Sequence, residues 1–350
     1  MATFLIFLSL LVSYGIRRRN NAGNDFLSPK QTSAIKGIFI CMVFLSHASG
    51  YVSEVGYKYN GIGDSLFLFV IGALGQCMVV MFMLYSGYGV MESVKKNGIN
   101  YIRQMPVRRV LTTLLNFDIA VLIFAITSIL LGREISATQF LWSLVALDSV
   151  GNSNWYIFVI LLCYAIATIS YFISYKTSPS HKRDRNGLLL LTAGCSAAIL
   201  VLHFAGQPSW WYDTILAFCA GAAISAHRNW LDSFVSRRYS TILVMSILLF
   251  ITSRALQPSL GLGLVGNMTT LSFAATTLLI TYKINIGNPI LNWMGEKLFP
   301  LYIYQRIPML AIATLSPQFV MAHPVLFLAI SAIVSAVLAS QYKFIQIRLR

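Results

Sequence analysis

The sequence is poor in charged residues, and poorest in acidic ones. Only 11% of its 350 residues are charged, with 11 Asp or Glu against 26 Lys or Arg. Soluble domains contain about 25% charged residues, whereas 57% of this chain is hydrophobic. The composition excludes an ordinary soluble protein. It predicts an all-α, polytopic integral membrane protein.

The sequence also lacks the motifs of common soluble enzymes. It contains no Walker A motif, no HExxH and no CxxC pair, and its five cysteines lie singly inside apolar segments. Isolated cysteines of this kind pack as small hydrophobic residues. We therefore expect neither a disulfide nor a metal site.

A single GxGxxG match, at residues 261–266, resembles a nucleotide-binding loop. That motif needs a preceding strand and a βαβ unit, but here it opens an apolar segment. Closely spaced glycines in such a place favour tight helix packing, and this is the interpretation we prefer.

Eleven apolar segments follow one another with short links, and they predict about eleven transmembrane helices. They cover residues 2–16, 34–52, 65–91, 109–131, 154–175, 187–205, 210–226, 240–256, 263–283, 298–316 and 322–342. The first is short, and its arginines follow it, whereas a signal peptide has its charges first. We predict an extra N-terminal helix with a basic link (residues 1–30), the alternative being an interfacial helix. A membrane domain (31–350) with a ten-helix core follows.

The basic residues are clustered between these segments, although the net charge of +15 could suggest a nucleic-acid partner. With the N-terminus outside, every Lys and Arg except Lys58, Arg133, Arg254 and Arg306 falls on the inner side. This positive-inside bias argues against nucleic acid. It predicts that the C-terminus is cytoplasmic.

One predicted helix carries two ionisable side chains, Lys36 and His47, within an almost wholly apolar run. Eleven residues make three helical turns plus about 20°, so both lie on one face, roughly 16 Å apart. Glu54 shares that face if the helix continues past Gly50. Ionisable groups at membrane depth are costly and often functional. The alternative is a lysine at the interface and a histidine that bonds a neighbouring helix.

Further polar residues fall within or near the ends of other segments. Asp118 and Arg306 lie inside predicted spans, and His203 and Asp213 lie near outer ends. Each could be a paired structural group. Asp118 and Arg306 are the costliest without partners, so each should have one or face a wet cavity.

Two sequence motifs resemble those of a known family. Lys36 and His47, with ten residues between them, are similar to the Arg/Lys-x10-His signature of the acyltransferase-3 family, integral membrane O-acyltransferases of bacterial envelopes. One span later, residues 82–88 read Phe-x-x-x-Ser-Gly-Tyr, which resembles that family's hydrophobic-SGY segment. Ser and Gly are also ordinary helix-packing residues.

Three later segments extend the resemblance and also depart from it. Residues 101–110 resemble the basic start of the family's third core helix, without its usual following proline. Residues 154–158 are similar to its LWFL helix start, but residues 160–162 are apolar where many members have glutamate. Residues 294–306 resemble its GK helix, with Gln305 and Arg306 in place of the terminal histidine.

The resemblance implies a reaction. The family transfers an acyl group, commonly acetyl, from acyl-CoA to a hydroxyl of an envelope polysaccharide or a lipid-linked glycan across the bacterial inner membrane. It implies acyl-CoA as co-substrate, no metal, and the glycan acceptor and lipid bilayer as partners.

The resemblance also implies roles for particular residues. His47 and Lys36 form the catalytic pair, with His47 as general base or acyl carrier. A cytoplasmic basic mouth holds the phosphates of CoA, and the acceptor is contacted near the outer side. The mouth comprises Lys36, Arg103, Arg108 and Arg109; the substrate contacts are Glu54, Ser86, Trp155 and Arg306.

Two functions of other classes compete with this one. A transporter or flippase would use His47, Asp118 and Arg306 as a proton relay or substrate site, but the chain shows no clear inverted repeat. A non-catalytic membrane assembly subunit would make every polar residue structural.

Overall fold

A computed structural model describes residues 2–19, 26–260 and 263–349, which are helical apart from short links and one two-stranded ribbon. The helices are α1 (Ala2–Tyr14), α2 (Pro29–Glu54), α3 (Ile62–Leu74), α4 (Cys77–Met105), α5 (Thr112–Leu130), α6 (Ala137–Leu144), α7 (Trp155–Thr177), α8 (Arg183–Phe204), α9 (Ile215–Ala226), α10 (Arg228–Leu260), α11 (Gly263–Lys283), α12 (Pro289–Glu296), α13 (Leu298–Tyr304), α14 (Arg306–Leu315), α15 (Pro317–Ala322) and α16 (Pro324–Ile345). A π-helical turn (Pro106–Leu111) joins α4 to α5, and the strands are β1 (Arg17–Arg18) and β2 (Ile284–Asn285).

The described part of the chain contains eight helical stretches long and apolar enough to cross a membrane. The longest, residues 62–130, includes α3, α4 and α5. The short apolar helices α1 and α9 have 13 and 12 residues. The predicted all-α polytopic membrane fold is therefore confirmed.

The 62–130 stretch doubles back on itself. Helix α4 runs parallel to α7. Phe82 packs against Tyr156 near the start of both helices, and Met91 meets the Tyr171 hydroxyl further along both. A kink at Gly98, whose φ is 54°, follows. Helix α5 then runs against α7, since its last turn reaches the segment before α7. Here the Ser128 hydroxyl donates to the carbonyl of Val150 at 3.0 Å.

Three of the predicted spans have different bounds. Residues 65–91 form two helices, because Gly75 at φ 45° ends α3 and Arg254 donates to the Ala73 carbonyl at 2.9 Å, capping that end. Segment 240–256 is part of the longer α10, which bends at Arg238. Segment 298–316 is broken at Gln305 into α13 and α14.

The two ends of the bundle can be distinguished by the basic ribbon. Strand β1 pairs antiparallel with β2, with Arg17 opposite Asn285. We call this end the basic side. Helix α2 begins there, continues past Gly50 and ends at Glu54 on the far side. Helix α1 runs from beside Gly63 near the far side to β1.

Glycines set the two closest helix crossings. A Cβ on Gly37 would collide with the carbonyl oxygen of Leu291, and one on Gly295 with that of Ser33, so α2 and α12 touch backbone to backbone. In the same way, Gly87 faces the Phe218 carbonyl where α4 crosses α9. Such close approach is the usual role of small residues between membrane helices.

We expect Gly295→Ala to destabilise the protein by about 1–3 kcal/mol, the cost of forcing a methyl into a packed contact. Gly50→Ala is the matched control, because it lies in a helix with open space around its Cβ position. There alanine should be neutral or slightly stabilising. Thermal unfolding of both purified variants in detergent measures the difference. Equal melting temperatures would contradict the crossing.

The GxGxxG segment also has a packing role. Gly261 and Leu262 lie outside the described residues, but Gly263 packs on the ring of Tyr212 and Gly266 on the carboxylate of Asp213. The Asp213 side chain is buried and accepts from Gln257 at 3.3 Å. These contacts explain the glycines without a nucleotide.

Candidate functional site

His47 lies two turns before the end of α2 and is held between two other elements. Its Nε2 is 3.4 Å from the Ser153 hydroxyl, and its ring centroid is 6.3 Å from that of Tyr302 on α13. Its Nδ1 is buried and has no hydrogen-bond partner among the described residues. One ring nitrogen therefore faces a hydroxyl, and the other has no partner there.

Ser153 is presented to the histidine by a tight loop in front of α7. The backbone turns at Gly151, with φ 110°. The Asn152 side-chain oxygen accepts from the Val150 amide at 3.0 Å, and the Ser149 hydroxyl donates to the Asn152 carbonyl at 2.6 Å. These hydrogen bonds lie within the loop and hold its shape without help from α2.

Arg306 is tied to the same loop from the broken span. It is the first residue of α14, directly after the break at Gln305. Its guanidinium donates to the Asn152 carbonyl at 3.1 Å and lies 5.5 Å from the centre of the Tyr51 ring. It is close enough to act electrostatically on His47, and its Nε is buried without a partner among the described residues. A half-buried cation therefore lies beside the imidazole.

A cavity of about 230 Å³ lies next to this cluster. We call it the central cavity. At one end it is lined by Tyr302, which contacts His47, and at the other by Tyr164, which contacts Arg109. Its full lining is Phe82, Ser86, Thr113, Tyr156, Ile157, Ile160, Tyr164, Leu298, Phe299 and Tyr302. The central cavity thus lies between a residue that contacts His47 and a residue that contacts Arg109, although neither His47 nor Arg109 lines it.

Of the three predicted arginines, only Arg109 contacts the lining of the central cavity. Its Nε donates to the Tyr101 hydroxyl at 3.3 Å, and its guanidinium lies 5.9 Å from the centre of the Tyr164 ring. Arg103 and Arg108 are exposed and form no hydrogen bond or ion pair with the described residues. Arg103 lies in the last turn of α4, and Arg108 lies in the π-helical turn that follows.

The π-helical turn sets the direction of Arg109. The Thr112 amide donates to the Val107 carbonyl, five residues back, so this turn holds one residue more than an α-helical turn. The register of the arginine pair therefore cannot be obtained from α-helical spacing.

Lys36 is half-buried and lies within electrostatic range of Glu296. The contacts of Gly37 and Gly295 bring these two side chains together across the α2–α12 crossing. Leu298, two residues after Glu296, lines the central cavity. Lys36 thus lies on the basic side of that cavity.

The predicted acceptor contacts are divided between the cavity and the far side. Ser86 lines the central cavity. Trp155 is half-buried at the start of α7 and packs on Tyr156, which lines the cavity and lies 5.1 Å from Tyr302 between ring centroids. Glu54 is exposed at the far end of α2 and does not line the central cavity.

Several residues of this site were not found from the sequence. Ser153 is in a polar Asn-Ser-Asn run directly before an apolar span, which was an available signal. Tyr302 lies in the 294–306 segment that resembles the family's GK helix, which was also a signal. Tyr164 carries none, because single tyrosines are common in membrane helices. The importance of both tyrosines comes from long-range packing.

The Oδ1 of Asp118 is buried without a hydrogen-bond partner among the described residues, whereas Asn116 has structural contacts. Asn116 holds the chain near its C-terminus, donating to the Ile347 carbonyl and accepting from its amide, both at 2.9 Å. No hydrogen bond or ion pair among the described residues joins Asp118 to His47 or Arg306. The described residues also contain no group of three His, Cys, Asp or Glu that could hold a metal ion.

Comparison with known proteins assigns the chain a family. A family model described as an acyltransferase domain matches residues 33–340. No curated protein matches the chain, and no solved structure does. The match begins after α1 and includes both Lys36 and His47; the domain division at residue 30 stays a prediction.

Proposed function

This chain belongs to the acyltransferase-3 family, and from that family's acyl-transfer activity we propose a specific reaction. The donor is an acyl-CoA, acetyl-CoA in the simplest case, bound from the basic side. The acceptor is a hydroxyl of an envelope polysaccharide or a lipid-linked glycan on the far side. The observation that carries the proposal is the central cavity, which runs from Tyr164, in contact with Arg109, to Tyr302, in contact with His47.

The two ends of the central cavity suit the two ends of such a donor. CoA ends in phosphates, which arginine and lysine bind by charge-assisted hydrogen bonds. Arg109 contacts the cavity lining at the basic end, and Lys36 lies on the same side next to Glu296. Arg103 and Arg108 stay predicted contacts of the outer phosphates. The pantetheine arm is thin enough to pass between helices and bring the thioester to His47, roughly 16 Å from Lys36 along α2.

His47 has a geometry that suits a general base. If Nε2–H donates to the Ser153 oxygen, Nδ1 carries the lone pair. Nδ1 then takes the proton of the acceptor hydroxyl as its oxygen attacks the thioester carbonyl. The C–S bond breaks, and the departing thiolate takes the proton from the imidazole. An acyl-histidine intermediate would use the same nitrogen as nucleophile.

Arg306 would stabilise the negative charge that forms on the thioester oxygen. Its cation is already fixed by the Asn152 carbonyl and the Tyr51 ring, so little reorganisation is needed during the reaction. A prearranged charge in a site of low dielectric constant is the strongest form of such stabilisation.

Labelled acetyl-CoA supplied to membranes that contain the protein tests the proposal. We expect the label to appear on a hydroxyl of surface or lipid-linked glycan, detected by mass analysis, and to be absent from membranes without the gene. Export of an unmodified glycan with no acyl transfer would instead support the transporter.

We expect Lys36→Gln and Arg109→Gln each to weaken acyl-CoA binding by about ten- to hundredfold, the loss of one or two charge-assisted contacts. Lys36→Arg should keep most activity, because arginine retains the charge. Lys96→Gln is the control, because Lys96 is an exposed lysine on the same side that does not line the central cavity. Binding titrations at low and high salt measure the effect, and the deficit should shrink at high salt. Unchanged affinity in both variants, with normal insertion, would remove these residues from the donor site.

We further propose that the protein lies in the bacterial inner membrane with its N-terminus outside and its C-terminus cytoplasmic. A reporter fused after Arg350, or placed in residues 176–186, should report cytoplasm, and one at 58–62 should report the outside. A cytoplasmic signal at 58–62 would invert this orientation and place His47 on the donor side.

A further inference from the structure

A second cavity, separate from the central one, opens on the basic side. It has a volume of about 770 Å³ and lies between the end of α1, the start of α2 and the link from α11 to α12. We call it the ribbon cavity, because the β1–β2 ribbon forms one wall. Its size is within the usual range for small-molecule sites, about 300–1,000 Å³.

The ribbon cavity is strongly positive. Arg17 and Lys30 line it with exposed side chains, and Arg19, which donates to the Thr281 carbonyl at 3.4 Å, lines it too. None of the described residues that line it is an Asp or Glu. The remaining side chains are mostly neutral amides and a hydroxyl, including Asn288 and Asn292. Cations without a carboxylate among the described lining residues favour an anionic ligand.

Two helix N-termini add to this charge. Helix α2 begins at Pro29, next to the cap Ser28, and α12 begins at Pro289, next to the cap Asn288. Both caps line the ribbon cavity. The N-terminus of a helix carries partial positive charge and unpaired amides, which together attract anions.

A buried side-chain amide also indicates a bound hydrogen-bond acceptor in the ribbon cavity. Gln31 lines the ribbon cavity and is only 5% exposed. Its oxygen accepts from the Ile286 amide at 3.2 Å, so the amide orientation is fixed. Its Nε2 has no hydrogen-bond partner among the described residues. A buried donor without a partner costs stability, and a bound acceptor would remove that cost.

The ribbon cavity is built by the segment that precedes the family match. The Asn288 side chain donates to the Leu11 carbonyl at 2.7 Å, and the Arg19 amide to the Lys283 carbonyl at 2.9 Å. These bonds join α1 and β1 to the α11–α12 link. Arg17, Arg19 and Lys30 all lie before residue 33, where the family match begins. The three cations of the ribbon cavity therefore lie outside the matched residues, whereas residues 285–292 of the opposite wall lie within them.

We propose that the ribbon cavity binds a phosphate ester. Arginine forks, a lysine, helix N-termini and an amide N–H are the donors that phosphate oxygens take up. The same chemistry occurs in two ligands available on this side, the nucleotide end of a CoA and the headgroup of an anionic phospholipid. The inference concerns binding alone and does not depend on the proposed reaction.

The test compares two variants that lose the same charge on the same side of the protein. Arg17→Gln with Lys30→Gln removes two cations from the ribbon cavity, and both side chains are exposed. Arg18→Gln with Arg237→Gln removes two exposed cations that do not line it. Adenosine 3′,5′-bisphosphate is titrated against each protein in phosphatidylcholine nanodiscs. In a second arm, retained phosphatidylglycerol is counted by native mass spectrometry after reconstitution in mixed lipid.

We expect the first variant to lose about tenfold in affinity for one of these two ligands, with the control unchanged. Loss of nucleotide binding identifies a nucleotide phosphate, and loss of retained phosphatidylglycerol identifies a lipid headgroup. If both variants bind both ligands equally well, the proposal is wrong. Lys30→Gln alone is the second variant should the double change reduce folding. His47→Ala should leave this binding intact, so failure of the reaction and failure of this site are distinguishable.

Discussion

Replacing His47 with alanine is expected to reduce acyl transfer to the background of membranes without the protein. The substitution removes the only imidazole next to Ser153, Tyr302 and Arg306 in the described structure, and with it the proposed proton acceptor. Loss of a general base alone costs about 10²–10⁴-fold in rate, and loss of an acyl carrier would cost more. Transfer of label from acetyl-CoA to glycan, measured per amount of inserted protein, gives the result.

The control is His181→Ala, an exposed histidine in the 176–186 link, which should retain full activity. Ser153→Ala tests whether the serine does more than orient the imidazole. If Ser153 only orients the imidazole, its loss should lower the rate without changing acyl-CoA affinity, and less severely than the loss of His47. Full glycan acylation by His47→Ala at normal protein level would remove the histidine from the mechanism.

Replacing Ser86 with phenylalanine is expected to abolish transfer by blocking the donor path. Ser86 lines the central cavity at about the middle of the membrane helix α4, and a benzyl group there would fill much of the 230 Å³. A blocked cavity cannot bring the thioester to His47, so the rate should fall at least as far as in a base variant. The phosphate end should still bind at Arg109.

Ser86→Ala is the matched control, since it removes the same hydroxyl and leaves the cavity open. We expect it to keep most of the activity, unless the hydroxyl itself contacts the acceptor. Both variants are measured by label transfer and by CoA titration. Normal transfer by Ser86→Phe in a folded protein would show that the donor takes another path.

The sequence predicted the parts of this protein that depend on local pattern. Apolar run length and the clustering of basic residues were enough for an all-α polytopic fold. The spacing of Lys36 and His47 placed them on one helix face, because α2 is a regular helix throughout. Family resemblance then pointed to acyl transfer, which the match to residues 33–340 supports.

What the sequence could not predict depends on contacts between distant segments. The Ser153 loop meets His47 across 106 residues of chain, because α4 packs against both α2 and α7 and brings the loop before α7 close to α2. The hydrogen-bond pattern of the tenth span is interrupted at Gln305, where φ and ψ stay helical, and its only local signal is Pro308. The contact of Arg306 with the Asn152 carbonyl depends on packing between distant segments. Nothing in the apolar pattern indicated that Gly75 would divide the third span.

The π-helical turn at Pro106–Leu111 affects how relatives of this chain should be aligned. An α-helix rotates its side chains by about 100° per residue, so a one-residue gap within a regular helix would turn everything after it to a different face. Here the wider turn already contains that additional residue. A relative with one residue fewer between 106 and 111 could form an ordinary α-helix and still keep Thr113 and the rest of α5 on the same face. A single-residue gap at this place is therefore compatible with an unchanged cavity wall, whereas the same gap elsewhere in α4 or α5 is not.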